Sequence, residues 1–128
     1  RFILGSLSGK PLEIHGGDQV FDFTHIDDTI AGIMRTIETL TSCDHASNHS
    51  NYHLLTGKGY SLQQALGIIS KHLGEELEVQ YTDARNYDVT KFYGDPSKAE
   101  LELDFKTKIG LQKGLRKTID LYREVFDL

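Results

Sequence analysis

The sequence contains 128 residues, of which 38% are hydrophobic and 26% charged, and its formal net charge is −5. This length allows one domain with a hydrophobic core, and the composition is that of an ordinary globular protein. The negative charge disfavours a nucleic-acid partner, and no apolar run approaches the roughly 18 residues of a membrane span. A single cysteine, Cys43, excludes an internal disulfide bond and is typical of a reducing compartment, so we expect a cytoplasmic protein.

The start of the sequence has no signal peptide and indicates a chain cut from a longer protein. Its first residue is Arg1 rather than Met, and the apolar residues Phe2, Ile3 and Leu4 follow at once. A natural terminus more often begins with a polar, frayed segment.

The first part of the sequence predicts a helix end, two strands and a long helix. Residues 1–8 are predicted to end a helix at Gly9, and the residue patterns of 12–15 and 20–24 predict strands. The short acidic residues at 27–28 favour a helix start, because their oxygens accept free N–H groups of the first turn. The apolar stripe of this helix is Ile30, Ile33, Met34, Ile37 and Leu40.

The middle of the sequence predicts a polar loop over 41–51 and a strand at Tyr52–Leu55. Ser61 is predicted to cap the following helix in a capping box with Gln64, and Gly74 to end it.

The last part predicts a strand over 77–81, an irregular segment over 82–95, a short helix opening at 96–99 and a final helix over 111–126. The predicted fold class is therefore α/β (an α+β-like fragment), with a small mixed sheet of short strands and about four helices. A sheet this small would benefit from a further surface to pack against.

No glycine pattern in the sequence is typical of nucleotide binding. Gly16-Gly17 and the turn 57–59 match neither GxGxxG nor GxxxxGK[ST]. The second turn precedes a helix, where a phosphate could bind, but a turn that ends at the Ser61 cap is the favoured interpretation.

Histidines near Cys43 suggest a possible metal site. His45 and His49 are four residues apart, a spacing that serves metal binding on a helix, and Asp44 and His53 lie close by. The surrounding Ser, Asn and Ala residues favour solvated loop histidines instead.

Asp22, Asp27 and Asp28 are three carboxylates close in sequence, and paired carboxylates can act as acid and base. Capping the following helix is a sufficient role for the last two. His25 could be a base, but no nucleophile or orienting partner accompanies it.

Arg85 lies in a loop after a predicted strand, together with Tyr87 and Asp88. Its guanidinium could form a forked contact with a phosphate or carboxylate ligand, or it could pair with Asp83 or Asp88. The residues alone leave both roles open.

Several segments, in order over nearly the whole chain, resemble motifs of the extended short-chain dehydrogenase/reductase family. The nearest kinds are the UDP-sugar 4-epimerases and dTDP-glucose 4,6-dehydratases. The matching segments are Gly9–Gly16, Phe21–Asp28, Tyr52–Ser61, Arg85–Asp88, Asp95–Ala99 and Lys113–Ile119.

The resemblance implies that residues 1–128 form a single C-terminal domain that binds a nucleotide-diphosphate sugar. In the family, an N-terminal Rossmann domain binds NAD(P) and carries a Tyr-x-x-x-Lys whose tyrosine is the acid/base. Neither element is present in this sequence, so we expect no catalytic residue and no cofactor site here, and a chain that is inert alone. The alternative is a free-standing ligand-binding or protein-interaction module derived from such a domain.

The resemblance also implies the substrate-binding residues by position. The strand that contains Leu12 and Ile14 would lie against the base and ribose. Arg85 would contact the diphosphate, and Tyr87 and Asp88 would line the same cleft.

Phe21 occupies the position of an arginine that contacts phosphate in many members of the family. Its presence predicts either an unusual substrate or another group in place of that arginine.

The absent Rossmann domain is itself an expected partner. The segments 20–24 and 52–55 would adjoin it, so we expect an exposed apolar surface there and self-association through it.

Overall fold

The computed structural model describes residues 2–42 and 50–127, which form five helices and five short strands. The predicted fold class, small mixed sheets of short strands with helices, is confirmed. In chain order the elements are α1 (Phe2–Leu7), β1 (Leu12–His15), β2 (Val20–Asp22), α2 (Ile26–Ser42), β3 (Gly59–Ser61), α3 (Leu62–Leu73), β4 (Val79–Thr82), β5 (Lys91–Phe92), α4 (Ser97–Leu103) and α5 (Leu111–Phe126).

The strands form two separate sheets. β1 pairs in parallel with β4, with Leu12 opposite Val79. In the second sheet β2 is central, antiparallel to β3 and parallel to β5, so that Val20 lies opposite both Ser61 and Lys91. Both parallel pairs require long crossover connections, which here include helices.

The main hydrophobic core joins β1 to α3 and α5. Alternation along β1 turns Leu12 and Ile14 inward, where they pack with Leu66 and Ile69 of α3 and Ile119 of α5. Ile14 is 1% exposed and Ile119 is fully buried. A second cluster consists of Ala99, Leu103 and Phe105, with Tyr52 and Leu54 packed against it.

Two strand predictions were wrong in detail. Tyr52–Leu55 is not a strand, because Tyr52 and Leu54 pack on the second cluster from an irregular segment. A strand forms instead at Gly59–Ser61, in and just after the predicted turn, where β2 supplies its pairing partner. β5 lies within the segment predicted to be irregular.

The predicted capping box of α3 is confirmed. Ser61 Oγ accepts from the backbone N–H of Gln64 at 3.1 Å, and Gln64 Oε1 accepts from the N–H of Ser61 at 2.8 Å. Gly74 ends the helix in the left-handed region, with φ of 75°.

Asp28 is not the cap of α2 that the sequence predicted, because the helix begins at Ile26 and the Asp28 carboxylate accepts from a distant segment. It is 4% exposed, and its two carboxylate oxygens accept from the backbone N–H groups of Lys108 at 3.0 Å and Ile109 at 2.9 Å. The carboxylate therefore joins the start of α2 to the segment before α5.

The apolar stripe of α2 is exposed on the described part of the chain. Its five side chains (Ile30, Ile33, Met34, Ile37 and Leu40) are between 47% and 63% exposed. The buried side of the helix holds Asp28 and Gly32, and a Cβ at Gly32 would lie 2.7 Å from Leu54 Cδ2 and 3.0 Å from Phe105 Cε2. The second cluster thus packs on the glycine, and the apolar stripe faces outward. In the segments 20–24 and 52–55, where the sequence predicted the exposed surface, all of the apolar side chains are half-buried.

Gly67, in the interior of α3, offers a test of helix propensity. A Cβ at this position would meet nothing within 4 Å. We therefore expect Gly67→Ala to raise the free energy of unfolding by about 0.5–1 kcal/mol, measured by urea denaturation. Gly74→Ala, which also meets open space but at a positive φ, should lower it by about 1 kcal/mol. Equal effects of the two substitutions would contradict this assignment.

Candidate functional site

A cleft of about 390 Å³ lies at the end of β1, between the strand and the loop 85–89. Five of the six residues that the resemblance pointed to line it, and they are Ile14, Phe21, Arg85, Tyr87 and Asp88. Leu12 does not line the cleft. It shares the inward side of β1 with Ile14, but it lies at the start of the strand, in the core beside α3, whereas the cleft is at the other end. The remaining walls come from Phe2, Glu13, His15, Gln19, Leu62 and Val89.

The glycine turn after β1 shapes one wall of the cleft. Gly16 and Gly17 both have positive φ, 77° and 113°, which glycine adopts without strain. Gln19 holds this turn from inside. Its Oε1 accepts from the N–H of Gly17 at 2.8 Å, and its Nε2 donates to the carbonyl of His15 at 2.7 Å. Sequence reasoning missed Gln19, although an amide two residues after a Gly-Gly turn is a signal that could have indicated it.

The loop 85–89 is organised by a forked ion pair. Arg85 Nε donates to both carboxylate oxygens of Asp88, at 3.1 and 3.2 Å, and Arg85 Nη2 lies 3.0 Å from Asp88 Oδ1. The backbone N–H of Arg85 also donates to that carboxylate, at 3.2 Å. The guanidinium carbon lies 5.1 Å from the centre of the Tyr87 ring. The question left open by the sequence is thus answered in part, since Arg85 pairs with Asp88 and not with Asp83.

The charge of the cleft does not by itself favour an anion. The described residues of its lining include two carboxylates, Glu13 and Asp88, and one guanidinium, Arg85, so their formal charge is −1 with His15 neutral. The Arg85 side chain nevertheless remains 48% exposed and keeps donors that face solvent. His15 Nδ1 lies 2.6 Å from Thr82 Oγ1, which fixes the ring at the cleft edge.

The pair also sets the titration of Asp88. Hydrogen bonds from Arg85 hold the pKa of Asp88 below its usual 3.8, and Asp88 in turn raises the pKa of Arg85. A carboxyl whose pKa is depressed by folding stabilises the folded state above its unfolded pKa, and this contribution is lost as pH falls through the lower, folded pKa. We expect the Asp88 side-chain carboxyl, followed by carbon-13 NMR, to titrate with a midpoint below 3.8. A midpoint at or above 3.8 would contradict the pairing.

The three carboxylates near the start of α2 lie outside the cleft lining. Asp22 accepts from the N–H groups of Thr56 and Lys58, at 3.0 and 3.2 Å, and so holds the loop before β3. Asp27 pairs with Lys117, whose hydrogen bond lowers the pKa of this carboxyl. His25 Nδ1 accepts from the N–H of Asp27 at 3.2 Å. These contacts are structural and assemble no acid/base pair at the cleft.

Three backbone N–H groups at the start of α3 are used by acceptors of this chain. Two of them, on Ser61 and Gln64, are used within the capping box. The N–H of Leu62 donates to the carbonyl of Gln19 at 3.3 Å. These contacts favour a strand-to-helix turn that ends at the Ser61 cap over a phosphate site at the start of α3.

The candidate metal ligands Cys43, Asp44, His45 and His49 lie outside the described residues. Over 2–42 and 50–127, no group of three or more His, Cys, Asp or Glu side chains could hold a metal ion. Within the same ranges, no helix is both long enough and apolar enough to cross a membrane.

Comparisons with known proteins point to one class of enzymes. The UDP-glucuronate 4-epimerase of Thermodesulfobacterium geofontis is 29% identical over 130 residues, which is 100% of this chain and 38% of that protein. The crystal structure of UDP-glucose 4-epimerase from Thermotoga maritima with UDP-glucose superposes with a TM-score of 0.86 at 25% identity, over 98% of this chain and 38% of that one. MoeE5 in complex with UDP-glucuronic acid and NAD gives a TM-score of 0.82 at 28% identity, over 96% and 40%.

The chain thus spans about two fifths of the length of these relatives. The resemblance to nucleotide-sugar epimerases and dehydratases is confirmed, and residues 2–118 match the family described as GDP-mannose 4,6 dehydratase. On this match, which covers most of the sequence, the chain belongs to the GDP-mannose 4,6 dehydratase family.

Proposed function

We propose that this chain is the part of an NAD(P)-dependent sugar epimerase or dehydratase that binds the nucleotide-diphosphate sugar. The observation that carries the proposal is the cleft at the end of β1, which gathers Ile14, Phe21, Arg85, Tyr87 and Asp88. Residues 1–128 would then be its C-terminal substrate-binding domain. The relatives crystallised with UDP-glucose and UDP-glucuronic acid support this substrate class.

The residues of the cleft divide into an apolar and a charged part. Ile14 and Phe21 offer apolar surface to the base and ribose, and Leu12 supports β1 from the core side. Arg85 would contact the diphosphate through the donors that Asp88 leaves free. Tyr87 would hold the guanidinium in place through its ring.

The formal charge of −1 in the cleft has a consequence for affinity. A diphosphate brings further negative charge, so Arg85 must either share its donors with Asp88 or exchange Asp88 for phosphate. Phe21 supplies no compensating charge. We therefore expect the chain alone to bind weakly, and the NAD(P)-binding domain of the parent protein to supply both the missing cations and the catalytic groups.

The test is isothermal titration of the protein with UDP-glucuronic acid, UDP-glucose and GDP-mannose, followed by an assay for turnover. We expect weak, saturable binding of at least one of them, competed by its nucleoside diphosphate, and no turnover. Catalysis by the 128 residues alone would overturn the proposal. So would failure of all three sugars to bind both this chain and the protein reconstituted with its Rossmann domain.

A second candidate is a free-standing interaction module, and the exposed stripe of α2 favours it. Five large apolar side chains on one helix face form a patch on the order of several hundred Å², near the upper limit for a monomer surface. The mass of the natural protein distinguishes the two candidates. This chain has a mass of 14.4 kDa, and a protein that also contained a Rossmann domain would have more than twice that mass.

We expect the isolated chain to self-associate through the α2 stripe. Sedimentation velocity over a concentration series should show growing oligomers. The double substitution Ile33→Lys and Ile37→Lys should return the protein to monomer, since both side chains are exposed and their loss costs the core little. Leu101→Lys on α4, where the side chain is 86% exposed, is the matched control. If the unsubstituted chain of 128 residues stays strictly monomeric at high concentration, this expectation is contradicted.

A further inference from the structure

We propose that the groove between α3 and α5 binds a small molecule that carries phosphate, at a site separate from the cleft of β1. The groove has a volume of about 520 Å³. That is within the usual range of small-molecule sites. Its polar walls are Tyr60, Gln64, Lys71, His72, Gln112 and Arg116, and it shares no lining residue with the cleft.

The charge of this groove is opposite to that of the protein as a whole. Among the residues that the structure describes, its lining contains two permanent cations, Lys71 and Arg116, and no carboxylate, whereas the net charge of the chain is −5. Over the described residues, neither cation forms an ion pair. Asp120, at the edge of the groove, is held by His72, whose Nε2 lies 3.2 Å from Asp120 Oδ1. The two cations are therefore free to act on an external anion.

A structural explanation covers only part of this arrangement. Lys71 and His72 lie in the last turn of α3, where a positive charge is favoured by the helix dipole. Arg116 lies on the other helix and gains nothing from that terminus. Two cations that face one groove from different helices repel each other unless an anion lies between them.

The neutral side chains of the groove also favour an acceptor-rich ligand. Because Gln64 Oε1 accepts from the N–H of Ser61, the free end of that amide is its NH₂ donor. The Tyr60 phenol and the Gln112 amide can donate as well. Phosphate oxygens accept hydrogen bonds from several donors at once, which matches this set.

Gly67 leaves open space at the wall of the groove. It lines the groove from the interior of α3, where alanine would be the better helix former and no atom of the chain lies within 4 Å of a Cβ. Packing within this chain therefore does not require a glycine at position 67. A ligand that lies between the two helices would require the space that the glycine leaves.

The experiment is a titration of the nitrogen-15-labelled protein with inorganic pyrophosphate at low salt, followed by amide shifts. We expect saturable shifts centred on Gly67, Lys71 and Arg116, and at least a tenfold weaker Kd in the double variant Lys71→Ala/Arg116→Ala. Arg35→Ala, which removes an exposed arginine of α2, is the matched control and should bind normally. Urea unfolding of each variant verifies that it is folded.

Two further arms separate this proposal from its competitors. Arg85→Ala should leave pyrophosphate binding in the groove unchanged, while the double variant should leave UDP-sugar binding in the cleft unchanged, so the two proposed sites fail independently. A hexaglutamate peptide should bind more weakly than pyrophosphate. Tighter peptide binding, shifts confined to the cleft of β1, or an unaltered Kd in the double variant would each overturn the proposal.

Discussion

Replacing Arg85 with alanine is expected to weaken binding of UDP-glucuronic acid about 10- to 100-fold. Within residues 2–42 and 50–127, Arg85 is the one permanent cation in the lining of the cleft. A charge-assisted fork to phosphate is worth more than a neutral hydrogen bond. The substitution also leaves Asp88 without its partner, so the cleft becomes more negative. Isothermal titration of the parent and variant chains at equal ionic strength measures the change.

The chain contains a matched control for this substitution. Arg35 on α2 is also an exposed arginine, paired at i,i+3 with Glu38, and it lies outside the cleft. Arg35→Ala should leave the affinity unchanged. Arg85→Lys should give an intermediate loss, because lysine keeps the charge but not the planar fork. Equal affinities of the Arg85→Ala and Arg35→Ala variants would remove Arg85 from the site.

Replacing Asp28 with alanine is expected to lower the free energy of unfolding by about 3 kcal/mol. The substitution removes the acceptor of two backbone N–H groups, those of Lys108 and Ile109, in a part-buried position. Unsatisfied donors of this kind cost about 1–3 kcal/mol each, less whatever water can recover. Urea denaturation followed by circular dichroism measures the loss.

The neighbouring carboxylate is the control. Asp27 is exposed and pairs with Lys117 at the surface, where ion pairs contribute little. Asp27→Ala should leave the urea midpoint within experimental error of the parent. If both substitutions shift the midpoint equally, the cause is the acidic start of α2 and not the link from Asp28 to residues 108–109.

The parts of the fold that the sequence predicts well are those fixed by near neighbours. The Ser61 capping box and the αL glycine at 74 depend on residues within a few positions, and both are found in place. The alternation over 12–15 likewise gives the inward side of β1. Tyr52–Leu55 shows the limit of this reasoning. Its apolar side chains pack onto Phe105 and its neighbours, but its backbone pairs with no strand. A pattern of apolar residues does not distinguish a paired strand from an irregular segment that packs on a core.

Long-range partners account for the other differences. Asp28 reads as a helix cap, but its carboxylate binds backbone groups about 80 residues away. The α2 stripe has the period of a buried face, and the described residues leave it exposed. The periodicity of a sequence indicates that one face of a helix is apolar, but it does not indicate which residues, if any, cover that face.

The candidate site was predictable only in part. Motif resemblance indicated five residues that the structure gathers at one cleft. It did not indicate Gln19, whose contacts to the glycine turn are made through a side-chain amide, nor the choice of Asp88 over Asp83 as the partner of Arg85. Both depend on the conformation of short loops, which composition does not determine.

The parallel pairing of β1 with β4 has a consequence for folding during synthesis on the ribosome. His15 and its partner Thr82 are 67 residues apart. At roughly 5–20 residues per second, β1 leaves the ribosome roughly 3–13 s before β4. Until then Leu12 and Ile14 have no sheet to join, and Ile119 arrives later still. During this interval the apolar side chains of β1 stay exposed on the nascent chain, which is a state prone to aggregation.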